Sequence, residues 1–170
     1  MKIINIIIIS AILLSASVID DYKHKRYEKI CTFTILKKYI KNEKILSIMG
    51  DACIKSDNLF MLPFIVHKLK NTPVGRKNSI YLLTIYMQKK LICSFVFDNI
   101  SLKGFSFPDT DCFISFIFKA LQNGRYKKIN NKFIIYNKPE NITYYIYKKD
   151  NRIYVETYKN KKLIKRRYYR

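Results

Sequence analysis

Side-chain catalysis needs a nucleophile or a base held against a partner group. The residues in this chain that could supply one are few: His24, His67, the pair Asp109 and Asp111, and cysteines at 31, 53, 93 and 112. No Gly-x-Ser-x-Gly, His-Glu-x-x-His, glycine-rich phosphate loop or Cys-x-x-Cys occurs in the sequence. His24 sits in a basic lead-in, and His67 follows Ile65-Val66 on a helical stretch. Asp109 and Asp111, two apart at an expected helix start, read as a cap and a favourable charge on the helix dipole. No ligand spacing suggests a metal, and no cofactor is expected.

The cysteines fit structural better than catalytic chemistry. Their compartment is set by the N-terminus. Met1 and Lys2 precede an apolar stretch from Ile3 to Leu14, and then come Ser15, Ala16 and Ser17. That is the layout of a secretory signal peptide over residues 1–17, cleaved after Ser17, and too short for a comfortable bilayer span. A periplasmic or secreted domain of residues 18–170 would remain. An even cysteine count in an exported protein reads as two disulfides with three possible connectivities. Spacing chooses among them. Cys31 lies eleven residues before Asn42 and Cys53 eleven after it, so an antiparallel helix pair turning at Asn42 would set them side by side. Cys93 and Cys112 flank the next long connection almost symmetrically and form the expected second bond.

The formal charge is +21 in 170 residues. Such a balance points to an anionic partner or to a lysine-rich codon bias. The most suggestive surface is C-terminal: Lys159, Lys161, Lys162, Lys165, Arg166, Arg167 and Arg170 interleave with Tyr158, Tyr168 and Tyr169. Aromatic-plus-basic strands track anions. For an exported chain the expected targets are an anionic membrane surface, lipopolysaccharide or an acidic envelope protein, with nucleic acid disfavoured.

The elements that must position these groups fall in two blocks. A helical part is expected over 27–123. It has a stripe from Tyr27 to Ile40, a clean amphipathic helix with Ile45, Ile48, Met49, Ala52 and Cys53 on one face, and a short helix from about Leu59. Thr72-Pro73 then opens a long core helix running to Phe97. Gln88, Lys89 and Lys90 at its middle disfavour a membrane span, and no transmembrane segment is expected after signal removal. Asp109 would start the last helix and Gly124 end it. Period-two alternation then marks strands at Lys132–Tyr136, Ile142–Lys148, Arg152–Tyr158 and Lys162–Tyr169. The fold class is α+β: a disulfide-pinned bundle of four to five helices, then an antiparallel meander of three to four strands over 132–169.

Residues 27–53 and 75–92, together with Phe107-Pro-Asp-Thr-Asp111, resemble small periplasmic proteins of low-GC Gram-negative bacteria. That resemblance implies a compartment and no activity. The run from Glu156 to Tyr169 is similar to a single MORN-like hairpin unit, with Lys161 where such units carry Gly, and implies a hairpin. These readings favour an exported, non-enzymatic module that binds or scaffolds. The alternative is an envelope enzyme assembled from scattered residues such as Asp109, Asp111 and His67. Mass spectrometry of the protein from its native cells should find a chain beginning at Val18; a cytoplasmic pool retaining Met1 would contradict export.

Overall fold

The computed structural model describes residues 17–169. The expected signal segment up to residue 16, and Arg170, lie outside the described residues. The chain forms two compact units, the first ending at Tyr86 and the second beginning at Met87.

The first unit holds a helical stretch at 17–23 (α1), α2 (Tyr27–Ile30), α3 (Phe33–Lys38), α4 (Glu43–Lys55), a 3-10 turn (Leu59–Met61), α5 (Leu62–Val66) and the opening turns of α6 (Pro73–Asp98). The basic lead-in is thus helical over 17–23. Val18 is buried, and Arg26 reaches back to Asp20 and Asp21 at 2.6 Å each. The stripe expected over 27–40 is also broken. Thr32 adopts extended backbone, and its hydroxyl caps α3 by accepting the Ile35 N–H. A threonine that can cap competes with helix continuation.

Cys31, at the end of α2, is bonded to Cys53 on α4 with Cα atoms 5.0 Å apart. In the chain-entropy account, closing a separation of 22 residues stabilises by about 3 kcal/mol.

The second anchor of this unit is a carboxylate. Glu43, in the first turn of α4, is buried. It accepts the backbone N–H groups of Lys70 (2.8 Å), Asn71 (2.6 Å) and Thr72 (2.9 Å), and the Thr72 hydroxyl. The Thr72 oxygen in turn accepts the Gly75 N–H at 2.9 Å, capping α6 as Thr72-Pro73 predicts. A Cβ on Gly75 would run into the Glu43 carboxylate, so glycine is required there by close approach.

The second unit holds the rest of α6, α7 (Phe113–Gln122) and a five-stranded antiparallel sheet in the order β1-β2-β3-β4-β5. The strands are β1 (Lys127–Ile129), β2 (Lys132–Asn137), β3 (Ile142–Lys149), β4 (Arg152–Lys159) and β5 (Lys162–Tyr169). β1 is one strand beyond the expected meander; three residues are too short to show a period. Three of its turns are two-residue loops with both residues at positive φ: Asn130-Asn131, Asp150-Asn151 and Asn160-Lys161. That is the primed-turn geometry whose twist matches a hairpin. The face carrying Tyr144, Ile146, Ile153 and Val155 is buried, as the alternation requires. It packs on α7 through the Phe113 and Phe116 contacts with Tyr144, and on α6 through Phe95 against Phe133.

Three expectations fail in this unit. Cys93 and Cys112 are both buried but are not joined to each other. The equidistance argument needs both residues on helices across a tight turn. Here the connection is an irregular segment, and Cys112 is the extended N-cap of α7 rather than a helical residue. The helix accordingly starts at Phe113 and not at Asp109. Asp109 pairs with Lys119 instead of capping. Helix α6 is long and apolar enough by length and composition to cross a membrane. Its Gln88 and Lys89 are nevertheless buried in the fold, and Gln88 accepts the Ser115 hydroxyl at 2.5 Å.

The Thr72 hydroxyl and the Asn71 N–H, with the other two donors, hold the Glu43 carboxyl at about 2, against burial that acts to raise it. A depressed folded-state value means the contribution is fully present above the ordinary 4.5 and is lost as pH falls toward about 2. Urea midpoints of the wild type should therefore drop through that window. Glu43→Gln should be less stable above it and show a flatter profile within it; parallel profiles would show that the carboxylate does not anchor α6.

Candidate functional site

Strand alternation sorts the C-terminal cations before any ligand is considered. On β5, Arg166 points to the outer face of the sheet, because it lies opposite Glu156, which lies opposite Tyr145. Arg167 lies opposite Val155 on the inner face. Its guanidinium sits 4.2 Å from the centre of the Phe113 ring and donates to Thr157 Oγ1 at 2.9 Å. Lys165 shares that side, opposite Thr157. Lys159, Lys161 and Lys162 are exposed at the β4–β5 turn. The predicted binding residues are therefore not one patch. They divide into a turn cluster, an outward Arg166 and an inward pair, while Arg170 lies outside the described residues.

The structure assembles a different surface on the outer face. The register places Tyr147 opposite Tyr154 and Tyr154 opposite Tyr168. Tyr147 and Tyr154 stack at 5.5 Å with their planes 9° apart, and Tyr154 meets Tyr168 at 6.3 Å. Both ends of the row are closed by cations. Lys132 Nζ lies 4.5 Å from the Tyr147 ring centre, and the Arg152 guanidinium 4.8 Å from that of Tyr168. A second row runs Ile134, Tyr145, Glu156, Arg166. Beyond it, Tyr158 packs edge-on against Tyr145 at 5.1 Å. Cation–π and ring–ring contacts of this kind add stability beyond area burial.

Glu156 organises this face. It is buried, and it accepts the Tyr147 hydroxyl (3.0 Å), the Tyr158 hydroxyl (3.4 Å) and Arg166 Nε (2.8 Å), with Arg166 Nη2 at 2.7 Å. Burial acts to raise its carboxyl. The Tyr147 and Arg166 bonds and the Arg166 and Lys132 charges outweigh that and lower it. Four donor atoms converge on the carboxylate, which makes it a structural acceptor. The surface thus presents an ammonium and a guanidinium group over the ends of a tyrosine row. It can attract and hydrogen-bond an anion.

The residues of the enzymatic alternative belong to different units. His67 is exposed at the end of α5 in the first unit; Asp109 and Asp111 are exposed before α7 in the second. Burial pushes the Cys93 thiol up, against the pull of Lys89 and Lys90, which leaves it a poor nucleophile. Among the described residues no group of three or more His, Cys, Asp or Glu could hold a metal ion.

Sequence reasoning missed Glu156, Lys132 and Arg152. Tyr147, Tyr154 and Tyr158 alternate visibly, but register across four strands cannot be read from spacing within one. Comparison with family models, with curated proteins and with solved structures finds no match for this chain.

A double-mutant cycle tests whether Glu156 organises the face. Glu156→Gln and Arg166→Gln should show clear coupling in urea unfolding, whereas Asp109→Asn and Lys119→Gln, an exposed pair, should show almost none. Arg166→Gln alone should be the more damaging of the first two, since it leaves a buried carboxylate without its counter-ion. Equal, small couplings would refute the role.

Proposed function

We propose that this chain is an exported, non-enzymatic binding module that contacts an anionic envelope partner: the membrane surface, lipopolysaccharide or an acidic envelope protein. The observation that carries the reading is the outer sheet face. There Lys132 and Arg152 stand over the two ends of a tyrosine row, and the acid of the same face, Glu156, is buried and paired with Arg166. The exposed lysines of the β4–β5 turn extend the positive surface of the same strands. The net charge of +21 supplies long-range attraction. The Cys31–Cys53 bond is compatible with an oxidising compartment, and the resemblance to small periplasmic proteins supports the same one.

Retention on immobilised lipopolysaccharide and on anionic vesicles across a salt series provides the test. Binding should weaken steeply with salt, because exposed charges are screened. Lys132→Gln with Arg152→Gln should reduce it further, and Lys159, Lys161 and Lys162 changed together to Gln should act in the same direction. Retention that is indifferent to salt, or to these substitutions, would overturn the reading.

A further inference from the structure

The first unit carries a surface that the sheet-face reading does not use. Phe33 opens α3, Phe60 lies in the 3-10 turn and Phe64 in α5. Their rings meet, Phe33 with Phe64 at 5.1 Å and Phe60 with Phe64 at 5.4 Å. Yet the residues remain 44%, 64% and 42% exposed. The core does not need them there. In the same stretch Leu59, Met61, Leu62 and Ile65 fill the buried positions, so the core of this stretch is made by other side chains. The contrast with the sheet is chemical. Tyr147 and Tyr158 on the meander carry hydroxyls that donate to Glu156, whereas these three phenylalanines have no polar tip. A contiguous apolar patch of this kind on a charged protein marks a contact site.

Its surroundings say what it contacts. Lys37 lies one turn after Phe33 on α3, with Lys38 next in sequence. Lys68 follows just beyond the end of α5, which carries Phe64. Lysines next to bare aromatic rings suit a surface that is apolar inside and negative outside. A second copy of the chain fits poorly, since it would bring another large positive charge to the same face. The Cys31–Cys53 bond ties the segment that leads into Phe33 to α4.

We infer that Phe33, Phe60 and Phe64 form a wedge that enters the interface of an anionic lipid bilayer, with Lys37, Lys38 and Lys68 at the headgroups. This stands independently of the sheet face.

The sequence contains no tryptophan, so Phe60→Trp installs a single reporter. With vesicles of phosphatidylglycerol and phosphatidylethanolamine its emission should shift to the blue and be quenched by acyl-brominated lipid. Phosphatidylcholine vesicles should give a weaker response. Phe33→Ser with Phe64→Ser should lower partitioning by roughly tenfold or more, given the apolar area that two phenyl rings bury. Lys37, Lys38 and Lys68 changed to Gln should flatten its salt dependence. At saturating lipid, Lys132→Gln with Arg152→Gln should leave the shift of the bound protein in place even where it weakens retention, which separates this proposal from the sheet-face reading. Phe64→Trp serves as a second reporter if the first substitution disturbs the fold by circular dichroism. Binding to vesicles without a shift from either reporter would overturn the wedge. So would a shift that grows with protein concentration in the absence of lipid, which would mean self-association.

Discussion

A carboxylate removed from water is tolerated only where donors replace the lost hydration. Both units of this protein are organised around such a replacement. The chain has 12 acidic residues against 33 basic ones, and Glu43 and Glu156 are buried. Glu43 gathers three backbone N–H groups and a hydroxyl, and so joins the start of α4 to the start of α6. Glu156 gathers side chains from β3, β4 and β5, and so fixes the outer surface of the sheet. Each acid also determines the character of its neighbours. Gly75 is glycine because Glu43 is close, and Arg166 is drawn onto the sheet because Glu156 is beneath it.

A large positive charge becomes a surface only after strand alternation has distributed it. Adjacent residues Arg166 and Arg167 face opposite ways, and their fates differ accordingly. One is clamped to a carboxylate among tyrosines, and the other lies over Phe113 near the core. Charge counting along the C-terminus therefore overstates the local density on any one face. Conversely, Lys132 and Arg152 are far from that segment in sequence but meet its tyrosines through register.

Signals that are local in the chain were the legible ones. Thr72-Pro73 announces the start of α6, the spacing about Asn42 pairs Cys31 with Cys53, and alternation marks four strands with their buried face. What escaped was set by competition or by distance. Thr32 can either continue a helix or cap the next one, and periodicity does not weigh the two. Lys-Lys-Ile becomes β1 only because β2 offers an edge. The symmetry that pairs Cys31 with Cys53 also suggests Cys93 with Cys112, but the second connection is irregular and the geometry does not transfer. Glu156 occupies an outward position in β4, where an acid ordinarily reads as solvated; only the neighbouring strands make it buried.

The meander pairs each strand solely with its neighbours in sequence, through turns of a few residues. Such a topology has low contact order, so each strand addition closes a short loop and loses little chain entropy. The sheet can grow hairpin by hairpin on a fast timescale. The first unit must instead bring Glu43 to Thr72 and oxidise two thiols, and thiol oxidation takes seconds to hours. The two units thus differ in the kind of closure each requires: short hairpins in the second, and a covalent bond between separated helices in the first.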